Sequence, residues 1–180
     1  KQVLEFDDVL NKQRQVVYDT RRKMLSGDAL AEHIQEMQRD VVDHMLSTFC
    51  DEKQDPGEWD LEGLVAYAAD LLGSEGYVTA GNLDNLGHEE IRRLLEEQLS
   101  AAYKRREQEI GPDRMRELER VIYLNFLDTK WMEHLRNMDD LREGIFLRAY
   151  GQQNPLLEYQ FEAHQMFADM MLSIKEGVLK

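Results

Sequence analysis

The amino-acid sequence predicts an all-α protein: a long opening helix, a small helical domain inserted after it, and a closing antiparallel pair of helices. Three observations carry that expectation. The 180 residues include only three prolines, while Leu, Ala, Glu, Gln, Met and Arg, all good helix formers, are plentiful. Apolar side chains return at spacings of three and four over long stretches, the period of a helix face. Glycine and proline fall at few places and divide the chain into parts 1–27, 28–112 and 113–180.

The first part is one helix from Lys1 to about Leu25. Its apolar residues, Val3, Leu4, Phe6, Leu10, Val17, Tyr18, Met24 and Leu25, are spread around the helix rather than confined to one stripe. A helix apolar on several sides is one buried among neighbours. Arg14, Arg21, Arg22 and Lys23 lie toward its C-terminal half, where the helix dipole favours cations. Ser26-Gly27 allows a break, and Asp28 can cap a new helix.

In the second part, Leu30, Ile34, Met37, Val41, Met45 and Phe49 predict a helix over about 29–49. Asp55-Pro56-Gly57 marks a turn, and Asp60 can cap a short helix reaching Leu72. Residues 73–87 hold four glycines and form the least regular segment. Ile91, Leu94, Leu95, Leu99 and Tyr103 predict a helix over about 88–109, ended by Gly111-Pro112.

Asp113 can cap the third part. Met115, Leu118, Ile122, Leu124, Leu127, Trp131, Leu135, Met138, Leu141 and Ile145 carry an apolar stripe uninterrupted by proline through Tyr150. Gly151 breaks it, and Asn154-Pro155 reads as an N-cap followed by a first-turn proline. A last helix then runs to about Val178, with Leu157, Phe161, Ala168, Met171, Ile174 and Val178 on one face and His164 on the same stripe as a core histidine. A connection of about five residues, Tyr150 to Asn154, folds two such helices back on each other. Trp131, with Leu127 and Leu135 one turn either side, is expected to anchor the pair against Phe167 or Met171. Met166, Phe167 and Met170 widen the apolar face, so this helix should touch more than one neighbour.

Composition excludes several functions. Thirty-six acidic and 22 basic residues give a net charge of −14; such a surface repels phosphate backbones, and no nucleic-acid partner is expected. Lys104-Arg105-Arg106 reads as a solvated helix face. The single cysteine, Cys50, permits no internal disulfide and reads as a buried thiol in a reducing compartment. No apolar run approaches the roughly 18–20 residues of a membrane-spanning helix. Lys1 in place of Met suggests a fragment. Of His33, His44, His88, His134 and His164, no two stand three or four residues apart, so no helix presents a paired histidine metal site. There is no phosphate-cradling loop and no dinucleotide fingerprint. The acidic pairs Asp7-Asp8 and Asp139-Asp140 read as solvated charges or partners of nearby bases. No catalytic residue, cofactor site or metal site is expected.

Specific motifs add to this. Leu4-Glu5-Phe6-Asp7-Asp8-Val9-Leu10-Asn11-Lys12-Gln13-Arg14, with Val17-Tyr18 and Arg21-Arg22 after it, resembles the scaffold helix of the SecA family. Leu127-Asp128-Thr129-Lys130-Trp131-Met132-Glu133-His134-Leu135 resembles a second signature of that family. So does Met138-Asp139-Asp140-Leu141-Arg142-Glu143-Gly144-Ile145, which runs into Leu147-Arg148-Ala149-Tyr150-Gly151-Gln152. Asn154-Pro155-Leu156, Glu158-Tyr159, Met166-Phe167 and Met171 continue the match. The resemblance covers essentially the whole chain, and loosens over about 54–97.

That resemblance implies parts with names: a scaffold helix (1–27), a helical wing (28–112) and a two-helix finger (113–180). It implies a role in an ATP-driven protein-export motor, linking its ATPase domains to a SecY-type channel and contacting the preprotein through the finger tip. The implied tip residues are Tyr150, Gly151, Gln152, Gln153 and Arg148, with Tyr150 the principal contact. Trp131, Leu135, Phe167 and Met171 are the implied anchors. ATP and Mg belong to domains outside this chain, which should not itself hydrolyse ATP. Partners would be the channel, the preprotein, the motor and preprotein-binding domains of the same polypeptide, and a second copy through exposed apolar faces. Location would be cytoplasmic, peripheral to the inner membrane. The alternative is a free-standing helical adaptor that binds a partner protein through those faces.

Overall fold

The computed structural model describes residues 2–27, 30–73, 79–148 and 154–179, the side chains of Gln2, Val3 and Arg148 excepted. The described residues form seven α-helices and no strand: α1 (Gln2–Ser26), α2 (Leu30–Phe49), α3 (Leu61–Leu72), α4 (Ala80–Leu83), α5 (His88–Ile110), α6 (Pro112–Arg148) and α7 (Pro155–Leu179). One turn of 3-10 helix, Pro56–Glu58, lies between α2 and α3. The protein is all-α, as its composition and periodicity predict.

Local chemistry sets most of these boundaries. The Asp60 carboxylate accepts from the Gly63 N–H at 2.9 Å and starts α3, and Gly73, at φ +65°, ends it in the left-handed region. Thr79 caps the four-residue α4, the one regular piece described within the glycine-rich 73–87 segment. Asn154 caps α7, its side chain accepting from the Leu157 N–H at 3.2 Å. α6 starts one turn position earlier than the sequence suggests: Pro112, whose missing N–H costs nothing in a first turn, is already helical, so Asp113 lies inside the helix instead of capping it.

Two compact units result. One comprises Lys1–Asp28 and Arg120–Ile174, the other Ala29–Glu119 and Lys175–Lys180. In the second, α2 packs against both α3 and α5. It buries Leu30, Ile34, Met37, Val41, Val42, Met45 and Leu46 on a wide face. Leu64, Ala68 and Leu71 of α3, Leu83 of α4, Ile91, Leu95 and Leu99 of α5, and Met115 complete that core. Cys50 is buried there as a free thiol, and burial, with the Asp60 charge second, pushes its pKa up.

In the first unit, Phe6, Met138, Ile145, Tyr159 and Ala163 form a core on which Val9, Leu10, Leu141 and Leu156 pack. The inward lines differ from the sequence expectation. On α6 they are Tyr123, Leu127, Trp131, His134, Met138 and Ile145; Leu118 is exposed. On α7 they are Tyr159, Ala163, Met170 and Ile174, whereas Leu157, Phe161, His164 and Ala168 are exposed. His164 is therefore not a core histidine. α7 carries apolar side chains on more than one side, so periodicity alone does not select its inner face; the neighbours do.

Gly111 joins α5 to α6 at φ 95°, ψ 143°, a conformation that L-residues with a Cβ avoid. A Cβ there would meet nothing within 4 Å, so any cost is backbone strain alone. Gly111→Ala should lower the stability of the second unit by roughly 1–3 kcal/mol, read from urea unfolding monitored by circular dichroism.

Candidate functional site

The first unit is built around a junction of three helices. Polar contacts space themselves along α1 against α6: Asp7 accepts from Arg142 at 2.9 Å, Gln13 meets His134, and Arg21 pairs with Asp128. Residue numbers rise on α1 as they fall on α6, so the two helices run antiparallel. α7 runs with α1: Tyr159 packs edge-on to Phe6 at 4.8 Å between ring centroids, and the Ala163 carbonyl accepts from Gln13. Arg142 also lies over the rings of Phe6 and Phe146, at 5.7 and 5.9 Å.

The centre of the junction is polar. Gln13 is only 8% exposed and His134 only 3%. Gln13 Nε2 donates to the Ala163 carbonyl at 3.0 Å, and Gln13 Oε1 lies 2.7 Å from His134 Nε2. The imidazole stacks on Trp131, with centroids 5.5 Å apart and planes 27° apart, and tilts against Phe167 at 5.6 Å. On another side it lines an open cleft of about 280 Å³ with Lys130, Glu133, Asn137, Met166, Asp169, Met170 and Ser173. Burial pushes the His134 pKa down, so the ring is neutral in the folded protein at pH 7.

Each residue singled out in the sequence has a definite place or lies outside the described residues. Trp131 is 8% exposed and reaches α7 through His134, which touches both it and Phe167. Leu135, Phe167 and Met171 are half-buried. Tyr150, Gly151, Gln152 and Gln153 lie outside the described residues. Arg148 is the last residue of α6. Gln13 was not legible as a site residue from apolar periodicity, which skips polar positions; the signal for it is a lone amide between Leu10 and Val17 on a line that is otherwise apolar but for Thr20.

Two other charged groups stand apart from this junction. Glu52, His88 and Glu89 place ligand atoms within 4.8 Å of one another. Both carboxylates are largely solvated, and His88 opens α5, where the helix dipole favours the carboxylates themselves and opposes a cation. In the second unit, Arg116 donates to Glu107 at 2.5 Å and to the Tyr103 hydroxyl at 2.5 Å. That hydroxyl donates to Glu119 at 2.6 Å. Glu119 is buried, and desolvation raises its pKa despite these partners. The cluster is an ion-paired brace between α5 and the start of α6.

The large apolar side chains left exposed are distributed unevenly. Leu4, Val16, Tyr18, Leu25, Val121, Met132, Phe146, Leu147, Leu157 and Phe161 belong to the first unit, and of those described in the second only Leu118 joins them. Among the described residues, no helix is long and apolar enough to cross a membrane. Fold and site together define an all-helical protein made of a small helical domain and a three-helix bundle with uncovered apolar side chains.

Comparison with known proteins gives that class its family. A profile described as "SecA Wing and Scaffold domain" matches residues 1–180. The protein translocase subunit SecA of Pelotomaculum thermopropionicum is 47% identical over 180 residues, covering all of this chain and 20% of that protein. The counterpart in Acetivibrio thermocellus is 41% identical over 187 residues, again covering all of this chain and 20% of the relative. Protein translocase subunit SecA 1 of Alkaliphilus metalliredigens is 41% identical over 180 residues with the same coverage. The chain belongs to the SecA wing and scaffold family, and it spans about one fifth of the length of these relatives.

Two measurements probe the junction. Truncating a nearly buried ring leaves a cavity, so Trp131→Ala should cost on the order of 3–5 kcal/mol, measured as a drop in the urea midpoint of the first unit. His134 has a folded pKa below its unfolded value of about 6.5, so unfolding takes up a proton between the two. Its contribution to stability is complete above about pH 6.5 and is lost as pH falls through that value toward the folded pKa. Urea midpoints at pH 7.5 and 5.5 should therefore differ less in His134→Gln than in the parent.

Proposed function

We propose that this chain is the part of a preprotein-translocating ATPase that joins the motor domains to the membrane channel. In this reading α1 and the α6–α7 pair are the scaffold and finger, residues 28–112 the wing, and residues 150–154 the tip that touches the translocating polypeptide. The observation that carries the reading is the end-to-end likeness, over all 180 residues, to proteins named as translocase subunits. The uncovered apolar side chains of the first unit support it: Leu4, Tyr18, Leu25, Phe146 and Phe161 need neighbours, and the remaining four fifths of the polypeptide would supply them. In the isolated chain the same faces should drive self-association.

Labour divides accordingly. ATP and Mg chemistry is assigned to the rest of the polypeptide, and a SecY-type channel at the cytoplasmic face of the inner membrane is the proposed docking partner. Tyr150, Gly151, Gln152 and Gln153, with Arg148 at the helix end, offer a ring, amides and one cation. Such a surface stacks on and hydrogen-bonds to an unfolded chain without regard to its sequence. A free-standing adaptor would use the same exposed apolar faces, and the likeness to one fifth of longer translocase subunits favours the motor reading over it.

Tyr150→Ala in the full-length protein should reduce preprotein transport into membrane vesicles far more than it reduces basal ATP hydrolysis, with Tyr150→Phe retaining part of the transport. Normal transport by the alanine variant would overturn the assignment of the tip. In the isolated chain the same substitution should shift the melting temperature little, because a residue serving a partner adds little to the fold.

A further inference from the structure

We propose that Gln13, His134 and the Ala163 carbonyl form a positional lock that fixes how the α6–α7 pair is seated against α1. Phe6, Leu10, Gln13, Val17, Thr20 and Met24 alternate spacings of four and three along α1, the pattern of a coiled-coil seam. Every one of these is buried or half-buried, and all but Gln13 and Thr20 are apolar. An apolar repeat accepts more than one seat, because one apolar layer resembles the next. A buried polar layer accepts one, since any other seat strands its donors and acceptors in an apolar interior.

The geometry also fixes the protons. A backbone carbonyl can only accept, so the Gln13 prong facing Ala163 must be the amide nitrogen. The other prong is then the amide oxygen, which can only accept in turn. His134 Nε2, 2.7 Å away, must carry a proton. In the neutral ring that leaves Nδ1 bare. The lock is therefore directional: carbonyl, amide and imidazole are polarised in one sense, and neither an amide flip nor the other histidine tautomer satisfies all three groups. Seating a glutamine and a histidine here costs stability that a pair of leucines would not. A layer that costs stability and specifies one arrangement acts as a position setter and not as a source of cohesion.

The tautomer is tested on the unmodified 180-residue chain. Long-range proton–nitrogen spectra of His134 above pH 7 should show a protonated Nε2 and an unprotonated Nδ1; the reverse tautomer would overturn the lock. Seating is tested in a Cys50→Ala background carrying spin labels at Lys12→Cys and Arg136→Cys, both on exposed positions. The parent should give one narrow distance peak. Gln13→Leu combined with His134→Leu should leave the melting temperature equal or raised, yet split or broaden that peak by up to about 10 Å, the length of one heptad at 1.5 Å per residue. An unchanged single peak in the double variant would show that the apolar layers alone set the seat. A lowered melting temperature with an unchanged peak would show that the layer is cohesive and nothing more.

Discussion

A side-chain amide has one donating and one accepting prong, and between a carbonyl and an imidazole it has a single orientation that satisfies both. At Gln13 that restriction sits in the middle of the three-helix bundle, 8% exposed and in contact with α6 and α7 at once. The apolar cluster of Phe6, Met138, Ile145, Tyr159 and Ala163 supplies the cohesion that such a polar centre needs. Each of those large side chains contributes roughly 1.5–3 kcal/mol when fully removed from water, more than a single buried hydrogen bond returns on balance. Cohesion and position thus come from different residues on the same helices. Ala163 serves both: its small side chain belongs to the core cluster, and its carbonyl receives the Gln13 amide.

The two units solve the burial problem differently. In the second, α2 meets α3 and α5 with a wide apolar face, and Leu83 and Met115 help to complete the core. Its polar side chains pair within the unit, Arg116 with Glu107, Glu119 and Tyr103, Tyr67 with Glu176 and Lys175 with Asp40. The first unit has a satisfied centre but an unfinished outside: Leu4, Leu147 and Phe161 are each more than two-thirds exposed. Stability in water disfavours such exposure, and three helices this long cannot cover one another's every side. The physical reading of that asymmetry and the likeness to one fifth of a larger translocase subunit point the same way.

Much of the fold was legible because local chemistry decided it. Asp60 and Gly73 bracket α3, Asn154-Pro155 opens α7, and Gly111-Pro112 separates α5 from α6; each is a few residues acting on their own backbone. The core of α2 was legible too, because its large apolar residues concentrate on one side. The inner face of α7 was not. Leu157 and Phe161 are larger and more apolar than Ala163, yet they face out, since α1 approaches closely enough for Gln13 to reach the Ala163 carbonyl. On α6, Leu135 looked like the core position and is half-buried, while its neighbour His134 is 3% exposed. Choosing between adjacent positions needs the partner helix, which a single-helix period does not contain. Tyr150 to Gln153 were singled out through family resemblance, and one aromatic among amides has no periodicity to read.

α6 shows why a stripe is only partly legible: Met115, Leu127, Trp131, Met138 and Ile145 are buried as the spacing predicts, while Leu118 is exposed. A continuous helix of 37 residues runs about 55 Å at 1.5 Å per residue, and different stretches of it serve different cores. Met115 and Glu119 face the interior of the second unit, while Tyr123, Leu127, Trp131, His134, Met138 and Ile145 face the interior of the first. From Met115 through Glu119, Tyr123 and Leu127 to Trp131 the inward spacing is four, and the next step, to His134, is three, so the buried line shifts around the helix there. A periodicity summed over the whole helix averages these lines together and singles out no one face, and Met132, Phe146 and Leu147 are exposed. A helix whose buried line shifts along its length therefore has to be read in segments, and here the shift falls at Trp131, not at Glu119 and Arg120 where the compact units divide.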